Sequence, residues 1–406
     1  MIIQSHILPN GLRIVHIPTD SQVAYCGFAI NAGARDESHN EHGLAHFVEH
    51  TLFKGTRKRK ACHILNRMEN VGGELNAYTT KESTFIYSIF MEKDFERAAE
   101  LMSDLITNSQ FPENELNKER EVILDEIQSY EDSPSELIFD DFENMLFNGH
   151  PLGHHILGNK RSLRSFNSSS GKSFLERFYS AENMVFFSMS RTDFKLVIRL
   201  AERYMAGIPS QEKPLSRIKP EEVKAYEINK KKKTHQSHVI TGCRAYDMHN
   251  GNKYPFFLLN NILGGPGMNN RLNVSLREKN GLVYNVESNV TSYTDTGVFS
   301  IYFGTDPKNL ERVSALVEKE LSCLRTKKLT STQLAAAKKQ AIGQLGVAGD
   351  NKESKFLGLG KSFLHFNKYE PQPEIFAKIE KITAEQILET ANYILNPEKL
   401  FRLVYE

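Results

Sequence analysis

The sequence predicts an α+β protein of two similar halves, in which each half is a mainly antiparallel sheet with helices packed on one face. Its 406 residues suit two domains of roughly 200 residues better than one core. Short segments rich in β-branched and aromatic residues alternate with amphipathic segments of helical period in both halves. Such an alternation favours a sheet that is covered by helices.

An internal similarity indicates that the halves arose by duplication. Residues 83–106 and 298–321 both read as a strand, a short acidic turn and an amphipathic helix, and an offset of 215 positions places Ile86 on Ile301. A second predicted helix follows each copy. Agreement in the order of elements supports duplication more strongly than the few identical residues do.

A turn-rich stretch predicts where the halves join. Residues 207–222 read GIPSQEKPLSRIKPEE, which is typical of a connection and not of a strand or helix. We therefore expect a catalytic half at 1–206, a linker at 207–222 and a second half at 223–406.

Composition and charge predict neither nucleic acid nor a membrane as a partner. The net charge is +1, from 51 basic and 50 acidic residues, so there is no overall attraction to polyanions. No apolar run approaches the roughly 20 residues of a membrane span. The four cysteines are scattered without a CxxC pair, which argues against a cysteine-based metal site and fits a reducing compartment. The first residues lack the pattern of a signal peptide, so we expect a cytoplasmic protein.

One short segment of the first half carries residues suited to metal chemistry. His46, Glu49 and His50 stand at relative positions i, i+3 and i+4, so on a helix they share one face. Two histidines one turn apart can hold one metal ion, and the glutamate between them lies close to whatever that ion binds. The order His-x-x-Glu-His reverses the commoner zinc-peptidase motif. A helix whose polar residues merely satisfy one another is the alternative interpretation of so short a match.

A catalytic zinc site has three protein ligands and a water, and the predicted helix at 116–130 offers the third ligand. Glu119 and Glu126 are two turns apart and fall on or beside the apolar stripe that contains Ile123 and Ile127. An inward carboxylate is costly unless a cation or hydrogen bonds meet it. Glu126 is therefore a candidate zinc ligand and Glu119 a candidate partner of a ligand, although acidic helices are common.

The second half is predicted to keep the shape and lack the metal. In its matching helix Gln344 falls opposite Glu126, and the region that should match the histidine pair reads FLLNNILGGPG. No pair of imidazoles is available there.

Several motifs together resemble the pitrilysin/insulinase family of zinc peptidases, the inverzincins. The residues from His46 to His50 are similar to the zinc signature of that family, which continues to a glutamate 76 positions after the second histidine, here Glu126. A further family glutamate lies seven positions earlier, at Glu119. The segments LPNGLRIV, GGELNAYTTKESTFIY, HPLGHHILG and LREKNGLVYNV resemble other family motifs, so the resemblance covers nearly the whole chain. The loop GGPGMNN is similar to the glycine-rich loop of processing peptidases.

The resemblance implies a reaction and a set of metal ligands. It implies one zinc ion per chain, held by His46, His50 and Glu126, with Glu119 beside a ligand. Glu49 is the expected general base, which takes a proton from water and passes it to the leaving amine. The implied activity is that of a zinc-dependent endopeptidase acting on short unfolded peptides through a zinc-activated water.

The resemblance also implies residues that contact the substrate and a partner chain. Arg277 and Tyr284 match a second-half motif that holds the substrate backbone and stabilises the oxyanion, and Asn76 and Ala77 match the strand that receives the peptide. Longer family members close two such units around one site, so this chain is expected to form a homodimer, or a heterodimer with a related subunit. In the homodimer, Arg277 and Tyr284 would reach the zinc of the other chain.

A non-catalytic assembly or scaffold subunit of the same superfamily is the alternative function. Such subunits usually have a degraded metal motif. Here the residues His46, Glu49, His50 and Glu126 are all present, which argues against the alternative.

Overall fold

A computed structural model of the chain describes residues 3–211, 215–232 and 234–406. These residues form eleven strands and fourteen α-helices. The strands are β1 (Gln4–Ile7), β2 (Arg13–Pro18), β3 (Val23–Ile30), β4 (Glu74–Thr79), β5 (Thr84–Met91), β6 (Met184–Ser190), β7 (Glu227–Lys230), β8 (Ser237–Ala245), β9 (Val283–Ser292), β10 (Gly297–Thr305) and β11 (Phe401–Tyr405). The helices are α1 (Leu44–Leu52), α2 (Ala61–Glu69), α3 (Phe95–Asn108), α4 (Glu113–Glu131), α5 (Pro134–Leu146), α6 (Lys160–Ser165), α7 (Ser168–Phe178), α8 (Phe194–Met205), α9 (Lys253–Gly264), α10 (Leu310–Thr326), α11 (Ser331–Ala348), α12 (Lys352–Phe366), α13 (Gln372–Glu380) and α14 (Ala384–Ile394).

The strands form two sheets of matching topology. The first has the order β1-β2-β6-β3-β5-β4 and the second the order β7-β11-β8-β10-β9. From β2 onward the two orders correspond strand for strand. Among the described strands, β2–β6 and β7–β11 are parallel and all other pairs are antiparallel, so even the parallel pair occupies the same place. The predicted α+β class with two similar, mainly antiparallel halves is confirmed.

The repeat predicted from the sequence is visible in the element boundaries. Ile86 lies in β5 and Ile301 in β10, the equivalent strands of the two sheets. The following helices begin at Phe95 and Leu310, which are separated by the same offset of 215 positions. In the next helix pair, α4 and α11, the first residues Glu113 and Ser331 are 218 positions apart.

Each sheet is the centre of one compact unit, and each unit contains a segment from the other half of the sequence. The first unit comprises residues 1–128, 154–218 and 349–370, and the second comprises residues 129–153, 219–348 and 371–406. The sequence-based division at 207–222 does not anticipate this exchange. Both sheets present apolar residues on two faces, and the sequence does not show which sheet a given helix covers.

In the first unit the main helical layer packs on one face of the sheet. Phe28 and Phe186 of the sheet pack in one apolar core with Phe47 of α1 and Leu101 of α3. The exchanged helix α12 covers the opposite face, where Phe356 stacks on Phe187 with ring centroids 4.3 Å apart. The first face therefore holds α1 against the sheet, next to the edge strand β4.

The second unit repeats this arrangement. Phe299 and Ile301 pack with helices α9 and α10 on one face, and the exchanged helix α5 places Phe142 on the other face against Ile240. Within the described ranges, every helix is too short or too polar to cross a bilayer.

Candidate metal centre

Helix α1, which carries the two predicted histidine ligands, is fixed at its first turn by a buried carboxylate. Glu37 accepts hydrogen bonds from the backbone N–H groups of Gly43 (2.9 Å) and Ala45 (2.8 Å), which would otherwise lack partners at a helix start. Burial raises the pKa of Glu37 well above its ordinary value, while these two N–H groups act in the opposite direction. Gly43 has φ +93°, and a Cβ there would lie 2.6 Å from the carbonyl oxygen of Leu157. The helix can therefore begin at this point only with glycine.

The structure brings the three predicted ligands together. The imidazole rings of His46 and His50 have centroids 4.5 Å apart. Glu126 Oε2 lies 3.8 Å from His46 Nε2 and 3.7 Å from His50 Nε2. Among the described residues, these form the one group of three His, Cys, Asp or Glu side chains whose ligand atoms all lie within 4.8 Å of one another.

The donor set fits a zinc ion. Two imidazoles and one carboxylate are ligands of known catalytic zinc sites, and their tetrahedral geometry places ligand atoms about 3.3 Å apart. The separations between Glu126 and the two rings exceed this by only a few tenths of an ångström. Burial, and secondarily His50, lowers the pKa of His46 to about 3, so this ring is the neutral imidazole that a metal requires.

Glu126 corrects one part of the sequence argument. The sequence predicts an inward carboxylate, but 44% of its side chain is exposed. The outer side of α4 is open here, and Val122 is exposed as well. The donor atom still points at both imidazoles, so one side of the cluster stays accessible from outside.

Two charged side chains, Glu119 and Lys54, orient the ring of His50 on the side away from Glu126. Glu119 is buried, and its Oε1 lies 3.0 Å from His50 Nδ1 while its Oε2 lies 2.6 Å from Lys54 Nζ. A proton on Nδ1 donated to Glu119 leaves the lone pair of Nε2 directed toward Glu126, which is the usual support of a metal-bound histidine. Within the described part of the chain, His46 Nδ1 is buried and has no such partner. Lys54 is absent from the sequence prediction, because only the fold brings it to Glu119.

Glu49 lies on the same helix beside the two histidines. Its Oε2 accepts a hydrogen bond of 2.6 Å from the hydroxyl of Thr79 at the end of β4. Burial raises the pKa of Glu49 and Glu126 adds to the rise, whereas Thr79 and His50 act in the opposite direction. The result is a carboxylate whose basicity is greater than that of an exposed glutamate. The sequence argument did not include Thr79.

Asn76 and Ala77 lie on β4, the edge strand of the first sheet. Their backbone partners in β5 are Tyr87 and Ile86, and no described strand pairs with the other edge of β4. Ala77 faces the core that includes α1. The predicted open edge therefore runs beside the helix that carries the histidines.

Arg277 and Tyr284 come together in the second unit. Arg277 belongs to a π-helical turn (Asn273–Glu278) and Tyr284 to the edge strand β9, with the guanidinium carbon 5.8 Å from the centre of the tyrosine ring. Tyr284 is 83% exposed. Both line a cavity of about 770 Å³ that the glycine loop 264–267 and helix α9 also line.

Comparisons with known proteins agree with this arrangement. Residues 13–160 match the model of the insulinase family, peptidase family M16, and residues 165–341 match the model named peptidase M16 inactive domain. A zinc protease of Bacillus subtilis is 31% identical over 99% of this chain and 98% of its own length. A zinc protease of Rickettsia felis is 34% identical over 96% of this chain and 94% of its own length.

Solved structures show the same fold at lower sequence identity. A protease from Helicobacter pylori superposes with a TM-score of 0.93 at 19% identity, covering 100% of this chain and 99% of the other. A peptidase M16 inactive domain from Pseudomonas fluorescens gives 0.92 at 20% identity, covering 100% and 98%. With relatives at more than 30% identity along nearly its full length, the chain belongs to the insulinase peptidase family, M16.

Proposed function

We propose that this protein is a zinc-dependent endopeptidase that hydrolyses short unfolded peptides, with one zinc ion per chain. The observation that carries the proposal is the convergence of His46 Nε2, His50 Nε2 and Glu126 Oε2, with the Glu49 carboxylate beside them. Membership of a family whose relatives are named zinc proteases supports the same conclusion.

Different residues of the first unit have different roles in the proposed hydrolysis. Zinc held by His46, His50 and Glu126 would supply a Lewis acid and lower the pKa of a bound water to about 7. Glu49 accepts the proton of the attacking water and returns it to the leaving amine. In the metal-free protein burial raises the pKa of Glu49, which favours uptake of the proton from the attacking water. Glu119, held by Lys54, fixes the ring of His50.

The open edge of β4 is the proposed binding strand for the peptide. A peptide that adds to this edge pairs through its backbone, so binding depends little on side chains. Asn76 and Ala77 lie on that strand. A folded substrate has few unpaired extended segments to offer, which is why we expect unfolded peptides to be preferred.

Arg277 and Tyr284 are proposed to complete the site from a second copy of the chain. The hydroxyl of the exposed residue Tyr284 can donate to a developing oxyanion, and Arg277 can hold the substrate backbone. Mixed dimers of Glu49→Gln and Tyr284→Phe chains test this homodimer, since one of the two sites would keep both intact residues. If mixing the two variants restores no activity, the trans arrangement is wrong; activity only with a second, related protein would indicate a heterodimer.

Zinc content and peptide cleavage test the main proposal. The wild type is expected to hold one zinc per chain and to cleave a quenched fluorogenic peptide until a chelator removes the metal. Glu49→Gln is expected to keep its zinc and lose more than about 1,000-fold in kcat. A zinc-loaded wild type that cleaves nothing in a random peptide pool would favour the scaffold alternative. The cytoplasmic location stays a prediction from the cysteine pattern.

A further inference from the structure

The side-chain alternation of β4 directs Thr79 toward the metal-binding helix. Successive residues of a strand point to opposite faces. Leu75 and Ala77 pack against the core that contains α1, whereas Tyr78 stacks on Phe85 on the other face, with centroids 4.9 Å apart. Thr79 follows Ala77 by two positions and therefore points to the α1 side, where its hydroxyl reaches Glu49.

Both the side chain and the backbone of Thr79 act on the Glu49 carboxylate. Thr79 Oγ1 donates to Glu49 Oε2 over 2.6 Å. Within the described part of the chain, no other side chain hydrogen-bonds to Glu49. Thr79 is therefore the residue whose hydrogen bonds orient this carboxylate.

The second sheet provides a natural comparison. Thr79 pairs with Thr84 of β5, and the equivalent pair in the second sheet is Val290 with Phe299 of β10, since Thr84 and Phe299 are related by the offset of 215 positions. Valine has almost the shape of threonine but no hydroxyl. The fold thus accepts valine at this strand position in the half whose described residues include no cluster of metal ligands.

We infer that Thr79 is a positioning residue that holds Glu49 in the orientation needed for proton transfer, and that it links this base to the strand that receives the peptide. The inference rests on the proposed peptidase function. Because Thr79 is the last residue of the open edge strand, a peptide that pairs with β4 and the carboxylate that acts on the attacking water share one rigid element. Substrate and base are then aligned by the same backbone.

Substitution of Thr79 tests the inference in the full chain. Thr79→Val removes the hydroxyl while keeping the shape, so we expect kcat to fall about 10- to 100-fold, as for loss of a hydrogen bond to a charged group, with KM changed by less than about threefold. Thr79→Ser restores the donor and is expected to bring kcat back to within about threefold of wild type. Zinc content should stay unchanged. Thr80→Val is the matched control, because among the described residues the Thr80 hydroxyl bonds only within the hairpin 80–83.

A second measurement does not depend on activity. In crystal structures of the zinc-free protein, we expect the Glu49 carboxylate to leave its position in Thr79→Val and to keep it in Thr79→Ser and Thr80→Val. An unmoved carboxylate, a kcat of Thr79→Val equal to wild type, or a serine variant as slow as the valine variant would overturn the inference. If the zinc-loaded wild type cleaves no peptide, the proposed function fails, and the crystallographic comparison alone decides whether Thr79 positions Glu49.

Discussion

The two halves place different chemistry at the same contact between two helices. In the first unit, Glu126 of α4 faces His46 and His50 of α1. In the second unit, Gln344 of α11 occupies the place of Glu126 and accepts a hydrogen bond of 2.7 Å from Asn261 of α9. An amide pair is neutral and satisfies itself. Two imidazoles around a carboxylate leave lone pairs facing one another, and this arrangement becomes favourable when a cation joins them.

The residue that contacts the second histidine ligand in the first half also has an uncharged counterpart in the second half. The offset of 218 positions that relates α4 to α11 places Ala337 where the first half has Glu119. Ala337 packs against the apolar core of the second unit, whereas Glu119 bridges His50 and Lys54. The contrast shows that the fold does not require charged residues at these positions, so their presence in the first half calls for a function.

Replacing Glu126 by the residue found at the equivalent position of the second half should have the largest effect on zinc binding and cleavage. Glu126→Gln gives the first half the amide of the second, and we expect zinc affinity to fall more than about 100-fold and cleavage more than about 1,000-fold. Gln344→Glu is the matched control, because its carboxylate can still accept from Asn261. That variant should keep one zinc per chain, as measured by metal analysis after dialysis against a competing chelator.

Two results would contradict this comparison. Retention of zinc at wild-type affinity by Glu126→Gln would show that the carboxylate is not a ligand. Gain of a second zinc by Gln344→Glu would show that the second half lacks only one group for metal binding.

Removing the support of His50 should have a smaller effect. Glu119→Gln leaves the three ligands in place but weakens the acceptor of the Nδ1 proton, so we expect zinc affinity to fall about 10- to 100-fold. The exposed Glu121 on the same helix provides the control, and Glu121→Gln should bind zinc like the wild type. Competition titrations with a chromogenic chelator measure both; equal affinities for the two variants would remove Glu119 from the site.

The sequence predicted the parts of the site that depend on spacing along one helix. His46, Glu49 and His50 lie on one turn of α1, and Glu119 and Glu126 two turns apart on α4, so helical periodicity alone relates them. Lys54, Thr79 and Glu37 were missed because their contacts arise from the packing of separate elements. The exposure of Glu126 was missed for a related reason, since periodicity gives the direction of a side chain but not what covers it.

For the fold too, sequence periodicity predicted the elements but not how separate elements pack. Alternation and the repeat predicted two similar sheets with helices, and strands of the two sheets correspond as expected. The exchange of α5 and α12 between the units did not follow from periodicity, because an apolar helix face fits either sheet. Side-chain shape determines which sheet α12 covers. A Cβ on Gly360 of α12 would lie 2.9 Å from the Phe187 ring, so glycine permits this close approach.

Substitution of the amide pair in the second half should have the smallest effect, a change in stability without a change in zinc binding. Asn261→Leu removes the donor and leaves the Gln344 oxygen without its partner, so we expect the free energy of unfolding to fall by about 1–3 kcal/mol with zinc content unchanged. In the double variant Asn261→Leu/Gln344→Leu neither polar group remains unsatisfied, and most of the lost stability should return. Urea unfolding of the two single variants and the double variant measures the coupling.

Additive losses would mean that the amides act separately and that the contact in the second half is not a neutral counterpart of the metal cluster. Recovery in the double variant would mean that the contact between these helices can be closed without polar side chains, which supports metal binding as the reason for the imidazoles and carboxylates of the first half.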